Sequence, residues 1–228
     1  MVVIACRSLE AMLRVLLPPD VPATFLGYEL HAQPRTMGAA LQAQLDALTR
    51  PSLVLLGYGL CGNGVVGVRS GAHVLVMPRT HDCIPIHLGS IEAHAQRFRR
   101  DPATWYLTRG WLDSGDTPLH EHRRYVRDYG EDTADELIAM LYRHYRRLRF
   151  VASSPQDLTD RRLQLDEVAR FCRERLHMQY ETVEGGDALV RRLVQASGQV
   201  RGADDAMLVL PPGSVVSAAM FHRPDAFY

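Results

Sequence analysis

The chain has 228 residues, 46% of them hydrophobic and 23% charged, with 26 basic side chains (Lys+Arg) against 26 acidic ones and a formal net charge of +0. That is enough apolar material for one ordinary domain or two small lobes and too much for a disordered chain. The balanced charge gives no footing for nucleic acid or an anionic membrane surface, and because every basic residue is arginine, a Schiff-base, phosphate-loop or general-base lysine is excluded.

The first ten residues, MVVIACRSLE, lack the basic stretch and long apolar run of a secretory signal, and no apolar run is long enough to span a membrane. A cytoplasmic protein is expected. Val2-Val3-Ile4-Ala5 reads as a first strand, and an amphipathic stretch through Leu9, Leu13 and Leu16 follows until Pro18-Pro19 stops it. A second apolar run covers 23–28. Met37, Leu41, Leu45 and Leu48 then share one face of a predicted helix over 35–48. A third strand, 53–56, ends in the loop Gly57-Tyr58-Gly59-Leu60-Cys61-Gly62-Asn63-Gly64, and a fourth, 73–77, is closed by Pro78. A helix over 88–99 and a short strand at Trp105-Tyr106-Leu107 follow. The stretch 115–147 is helical and rich in Arg, Tyr and acids. Beyond it the rhythm resumes, with strands at 148–152, 178–183 and 207–210 and helices at 158–176 and 187–196.

Strand and helix alternating in this way predict an α/β fold, with a parallel-sheet, Rossmann-like core and helices on both faces. The expected organisation is two lobes, 1–112 and 146–228, joined by a helical connector, 113–145; one continuous sheet is the alternative. Arg143, Arg146, Arg147 and Arg149 read as a solvated face paired with Glu131 and Asp135.

The chemistry concentrates where strands end. Cys6 follows the first strand, His31 the second, Cys61 the third and Cys83 the fourth. In an open parallel sheet these exits share the carboxyl edge, where ligands bind. Three cysteines and a histidine gathered there suit tetrahedral zinc, and three cysteines alone suit an iron–sulfur cluster. The competing reading is that each cysteine is a small buried hydrophobe; it fits Cys172, mid-helix, better than Cys61, set among glycines. In the loop, Tyr58, Gly62, Asn63 and Gly64 are candidates to line a bound cofactor, although the pattern is neither a Rossmann fingerprint nor a Walker loop. Arg79-Thr80-His81-Asp82-Cys83 is the densest cluster. Asp82 is expected to cap the following helix, with Pro85 in its first turn, and the helix end to lower the Cys83 pKa. Arg79 is expected to bind a carboxylate or phosphate, and His81 with Asp82 to move protons. His120-Glu121-His122 lacks the spacing of a zinc-protease helix.

On Ile4-Ala5-Cys6, Leu30-His31-Ala32-Gln33-Pro34, the glycine-rich loop, Pro78-Arg79-Thr80-His81-Asp82-Cys83-Ile84 and His87-Leu88-Gly89-Ser90, with Tyr180 to Gly186 more loosely, the chain resembles the family called domain of unknown function 1638. The resemblance implies cysteines at positions 6, 61 and 83 and a histidine at 31 as a family pattern. The pattern varies at His81, which implies that this residue orients a ligand rather than being one. It also implies a genomic setting beside corrinoid-dependent methyltransferases. The expectation is therefore a soluble metalloprotein of methyl-transfer or one-carbon metabolism, with zinc or an iron–sulfur cluster as cofactor. Its partner would be a small-molecule substrate or a corrinoid methyltransferase, and a homo-oligomer is left open. The alternatives are a non-catalytic accessory protein and a metal-free enzyme with Cys83 as nucleophile and His81 as its base.

Overall fold

A computed structural model describes residues 1–32, 34–196 and 205–222, with the side chains at 31, 32 and 34 outside the described residues. The chain opens with strand β1 (Val2–Cys6), helix α1 (Glu10–Leu16), strand β2 (Ala23–Leu26) and helices α2 (Glu29–Ala32) and α3 (Pro34–Asp46). Strands β3 (Leu53–Gly57) and β4 (Val74–Pro78) precede helices α4 (Ile84–Leu88) and α5 (Ile91–Arg100). Strand β5 (Thr104–Thr108) leads into α6 (Arg109–Ser114), α7 (Pro118–Tyr129) and α8 (Glu131–Tyr142). Then come β6 (Arg147–Ala152), α9 (Pro155–Asp160), α10 (Arg162–Leu176), β7 (Gln179–Glu184), α11 (Ala188–Gln195) and β8 (Met207–Leu210).

The elements form two compact units, Met1–Ala95 with Gly186–Phe227, and Gln96–Gly185. The boundaries expected at 112 and 146 fall elsewhere. Residues 113–145 are no connector: Leu119 of α7 shares a core with Leu107, Phe150 and Val168, and Tyr142 of α8 packs against it. The last strand does not belong with 146–184 either, because β8 pairs antiparallel with β4, Val209 opposite Val76.

The first unit is built on a five-stranded sheet of order β2-β1-β3-β4-β8, in which β1 is parallel to both β2 and β3, and β3 to β4. Both faces are covered, which is why its strands read as nearly unbroken apolar runs. Ile4, Cys6, Val54, Leu56, Leu75 and Met77 pack with Met37, Leu41 and Leu45 of α3. The alternate residues Val3, Ala5, Leu55 and Val76 pack with Leu9, Leu13 and, on α11, Leu189, Val190 and Leu193. Each fully buried aliphatic side chain contributes about 1.5–3 kcal/mol, so these two layers dominate the unit's stability. The predicted helix over 88–99 is in fact α4 and α5. Gly89 ends α4 at φ +74, and a Cβ there would come within 3.0 Å of the Gly186 main chain. Ser90 restarts the chain as a cap, its Oγ accepting the Ala93 N–H at 3.1 Å.

The second unit holds a three-stranded parallel sheet, β5-β6-β7. Arg149 is not on a solvated face: it is 0% exposed, at the centre of β6. Register places it between Tyr106 and Glu181. Its Nε donates to Glu181 at 2.7 Å, Nη1 to the Tyr106 hydroxyl at 3.0 Å and Nη2 to Asp101 at 3.1 Å. Glu131 and Asp135 pair with Arg175 instead. Among the described residues no helix is long and apolar enough to cross a membrane.

Candidate thiol site at the carboxyl edge of the first sheet

The order β2-β1-β3-β4 means that the chain leaves β1 towards one side of the sheet and β3 towards the other. Such a reversal opens a crevice at the carboxyl ends of the two strands, the usual place for a ligand in an open α/β sheet. Cys6 is the last residue of β1, and the loop carrying Cys61 leaves β3 beside it, with Ala5 opposite Gly57. Glycine is required at 57, because a Cβ there would sit 2.5 Å from that of Ala5. The loops after β3 and β4 lie back to back. The Leu60 N–H donates to the Thr80 carbonyl at 2.8 Å and the Cys61 N–H to that of His81 at 2.9 Å. Gly59 permits this approach, since its missing Cβ would fall 2.8 Å from both the Thr80 and Asp82 carbonyl oxygens. The pairing brings Cys61 alongside Cys83.

All three thiols are buried and reduced. Burial pushes Cys61 from the ordinary 9.0 up to about 12, with the Asp82 carboxylate and then Cys6 adding to the rise. Cys83 is pushed well above its ordinary value by burial, then by Cys61, Asp82 and Cys6. Cys6 is raised by burial, against the lowering effect of hydrogen bonds from Ser8, whose N–H and Oγ lie 3.4 and 3.2 Å from its sulfur. Cys6 thus opposes ionisation of Cys61, and both oppose ionisation of Cys83. Tyr58 belongs to the same neighbourhood: its phenol is raised by burial first, then by Cys6, Cys61 and the Glu29 carboxylate. Its hydroxyl, on a residue only 2% exposed, has no hydrogen-bond partner among the described residues, and neither has the buried Thr80 hydroxyl.

The remaining candidates divide. His31 belongs to α2, and its side chain is outside the described residues. Cys83 rather than Asp82 is the cap residue of α4; Asp82 stands one position before it and accepts the Ile84 N–H at 2.7 Å, and Pro85 lies in the first turn as expected. The expected lowering of the Cys83 pKa is reversed, because desolvation outweighs the end of a one-turn helix. His81 is held below its ordinary pKa by burial and then by His222, whose ring centroid is 6.2 Å away. Arg79 lies 3.9 Å from the Asp205 carboxylate through Nη1. Its Nε and Nη2 donate to the carbonyls of Met220 and His222 at 2.7 and 2.6 Å. That clasp holds the turn Ala218–Phe221, whose Phe221 shares a core with Cys6, Tyr58 and Cys61. Gly62 and Asn63 are exposed in a left-handed turn, at φ 62 and 67. Gly64 makes room for α3, since a Cβ there would meet the Met37 sulfur at 2.7 Å.

Sequence reasoning missed Ser8 beside Cys6, His87 behind Ser8, and His222 beside His81. His87 Nε2 lies 3.2 Å from the Ser8 hydroxyl, which in turn donates to Cys6. Only the closeness of Ser8 to Cys6 in the chain was a usable signal. Cys172 lies in the core of the second unit, in accord with a packing role.

Among the described residues no group of three or more His, Cys, Asp or Glu side chains is disposed to hold a metal ion. No curated protein and no solved structure matches the chain. A family model described as a protein of unknown function (DUF1638) matches residues 25–194, a span from β2 to α11 that takes in Cys61 and Cys83 and begins after Cys6. The chain therefore belongs to the DUF1638 family of proteins of unknown function.

Proposed function

We propose that Cys6, Cys61 and Cys83 are ligands for a thiophilic metal, zinc or the iron of an iron–sulfur cluster, with His31 as candidate fourth ligand. One observation carries the reading: three buried thiols leave three separate strand exits at one edge of the sheet, near enough that Cys6 raises the pKa of Cys61 and both raise that of Cys83. The donor set fits such a metal, since thiolate sulfur selects zinc, copper(I) and iron–sulfur clusters. The Tyr58 and Thr80 hydroxyls, buried without a partner among the described residues, add polar groups that an apolar core does not explain.

The thiols are held protonated, so uptake of metal must release protons and rearrange side chains that do not now form a ligand shell. Bound there, the metal would supply Lewis acidity or activate a thiol substrate, as zinc does in methyl transfer. The chain's own residues do the rest. Ser8 orients the Cys6 sulfur by two hydrogen bonds, and Asp82 ties down the backbone next to Cys83. The turn clasped by Arg79 helps keep water from the core of the site. His81, held below its ordinary pKa, is neutral near pH 7 and able to accept a proton. We place the reaction in corrinoid-linked methyl transfer in the cytoplasm, acting on a small-molecule substrate or with a methyltransferase as partner, on the strength of the family's genomic company. A metal-free nucleophile at Cys83 is the weaker reading, because burial works against its thiolate.

The test is elemental analysis of protein purified without oxygen, paired with alkylation of each cysteine. The proposal expects about one metal site per chain and joint protection of Cys6, Cys61 and Cys83. Less than about 0.2 metal per chain, with all three thiols freely alkylated, overturns it.

A further inference from the structure

A groove of about 450 Å³ lies on the first unit, between α3 and the loop 66–69. Arg35, Gly38, Gln42 and Asp46 line it from the helix, and Val66 and Arg69 from the loop. The protein's arginines are mostly neutralised, as Arg14 is by Glu10, Arg161 by Asp113 and Arg191 by Asp187. The guanidiniums of Arg35 and Arg69 have no hydrogen bond or ion pair among the described residues, and both residues line this one groove.

The wall that carries Arg69 is fixed rather than floppy. Its N–H donates to Gln42 Oε1 at 2.8 Å, and Gln42 Nε2 donates to its carbonyl at 3.4 Å and to Asp46 at 2.8 Å. The Gly67 N–H donates to the Val216 carbonyl at 2.9 Å, and Arg69 bridges to Val215. Two positions lack side chains. Gly38 packs too near the Gly64 carbonyl for a free Cβ, at 3.2 Å, and Gly67 sits at φ +87 facing open space. The result is a backbone-floored groove with two uncompensated guanidiniums and one carboxylate whose Oδ1 is already engaged.

We propose that this groove binds a small molecule through an oxyanion, phosphate or carboxylate, gripped by Arg35 and Arg69. Guanidinium forks match both groups, and charge-assisted hydrogen bonds supply the affinity. Asp46 sits in the same groove, so a ligand bearing a hydroxyl beside its anion is preferred to a bare anion. The test follows backbone amide shifts at Gly38, Gly67 and Arg69 in the intact chain during titration with inorganic phosphate, succinate and glycerol 3-phosphate. Sodium chloride at matched ionic strength is the control. The proposal expects saturable shifts with millimolar dissociation constants of about 1–10 mM. Glycerol 3-phosphate should bind tighter than inorganic phosphate. A stronger response to phosphate compounds than to succinate assigns the phosphate source, and the reverse assigns the carboxylate. Arg35→Gln and Arg69→Gln should each weaken binding by about fivefold or more, while Arg14→Gln leaves it unchanged. Because the groove arginines are exposed, the variants should fold, and their amide spectra report whether they do. No saturable shift up to about 20 mM, shifts reproduced by chloride, or wild-type affinity in folded Arg35→Gln and Arg69→Gln overturns the proposal.

Discussion

Cys61 sits at φ +47, where a residue with a Cβ is strained by about 1–2 kcal/mol, and its neighbour Gly62 shows that glycine is at home in the same turn. Retaining a cysteine at 61, side chain turned into the core at 9% exposure, points to a use for its sulfur. Cys61→Gly loses about 1 kcal/mol of packing and regains about as much strain. Thermal unfolding should therefore shift by no more than a few degrees, while metal uptake is lost; a large fall in melting temperature would make Cys61 a packing residue. Alkaline pH tests the burial of the thiols. Cys61 and Cys172 rise from 9.0 to about 12 in the folded chain, so above pH 9 the unfolded chain releases its thiol protons first and stability falls. Unfolding by urea should show full stability below about pH 9 and a decline of up to ~1 kcal/mol per thiol per pH unit above it. A flat profile from pH 9 to 11 would mean that the thiols are open to water. Arg149 is the residue that sequence reading misjudged most: four arginines close together in sequence look alike until strand alternation turns one of them inward. Arg149→Ala empties a fully buried place in β6 and takes a partner from Asp101 and Glu181, both partly exposed, and should cost about 2–3 kcal/mol in chemical denaturation, well beyond the surface-substitution range.

At the level of elements, strand ends decide the site. The apolar runs that became β1, β3 and β4 were legible because a parallel strand covered on both faces is apolar throughout. So Cys6, Cys61 and Cys83 could be assigned to one edge before any coordinates. Their mutual approach was not legible, since it depends on the loop-to-loop hydrogen bonds of Leu60 and Cys61 and on the room left at Gly57 and Gly59. Gly57→Ala sets a methyl 2.5 Å from Ala5 Cβ and forces β1 and β3 apart. It should destabilise the protein by about 1–3 kcal/mol in denaturant titration and expose Cys6 to alkylation. A neutral effect on both would mean that the two strands do not pack as described. The split of α4 from α5 was equally hidden, because a left-handed cap at Gly89 looks like any helix glycine until Gly186 comes against it.

For the whole molecule, the fold class was legible and the division of the chain was not. Alternating strands and helices announce an α/β protein whichever sheet each strand joins. Pairing β8 with β4 requires contacts across more than a hundred residues, a separation that local pattern cannot register. The same distance hid the use of Arg79: its partners, the carbonyls of Met220 and His222, lie in the returning segment. The balanced charge is likewise a whole-chain property that conceals local arrangement, and only the fold brings Arg35 and Arg69 to one groove. The central claim concerns three sulfurs acting as one site, and cobalt(II) loading under anaerobic conditions measures it most directly. The account predicts an intense sulfur-to-cobalt charge-transfer absorption that drops by about a third in each of Cys6→Ser, Cys61→Ser and Cys83→Ser and is unchanged in Cys172→Ser. Folded protein that gives no such band, or a band indifferent to those three substitutions, would contradict it.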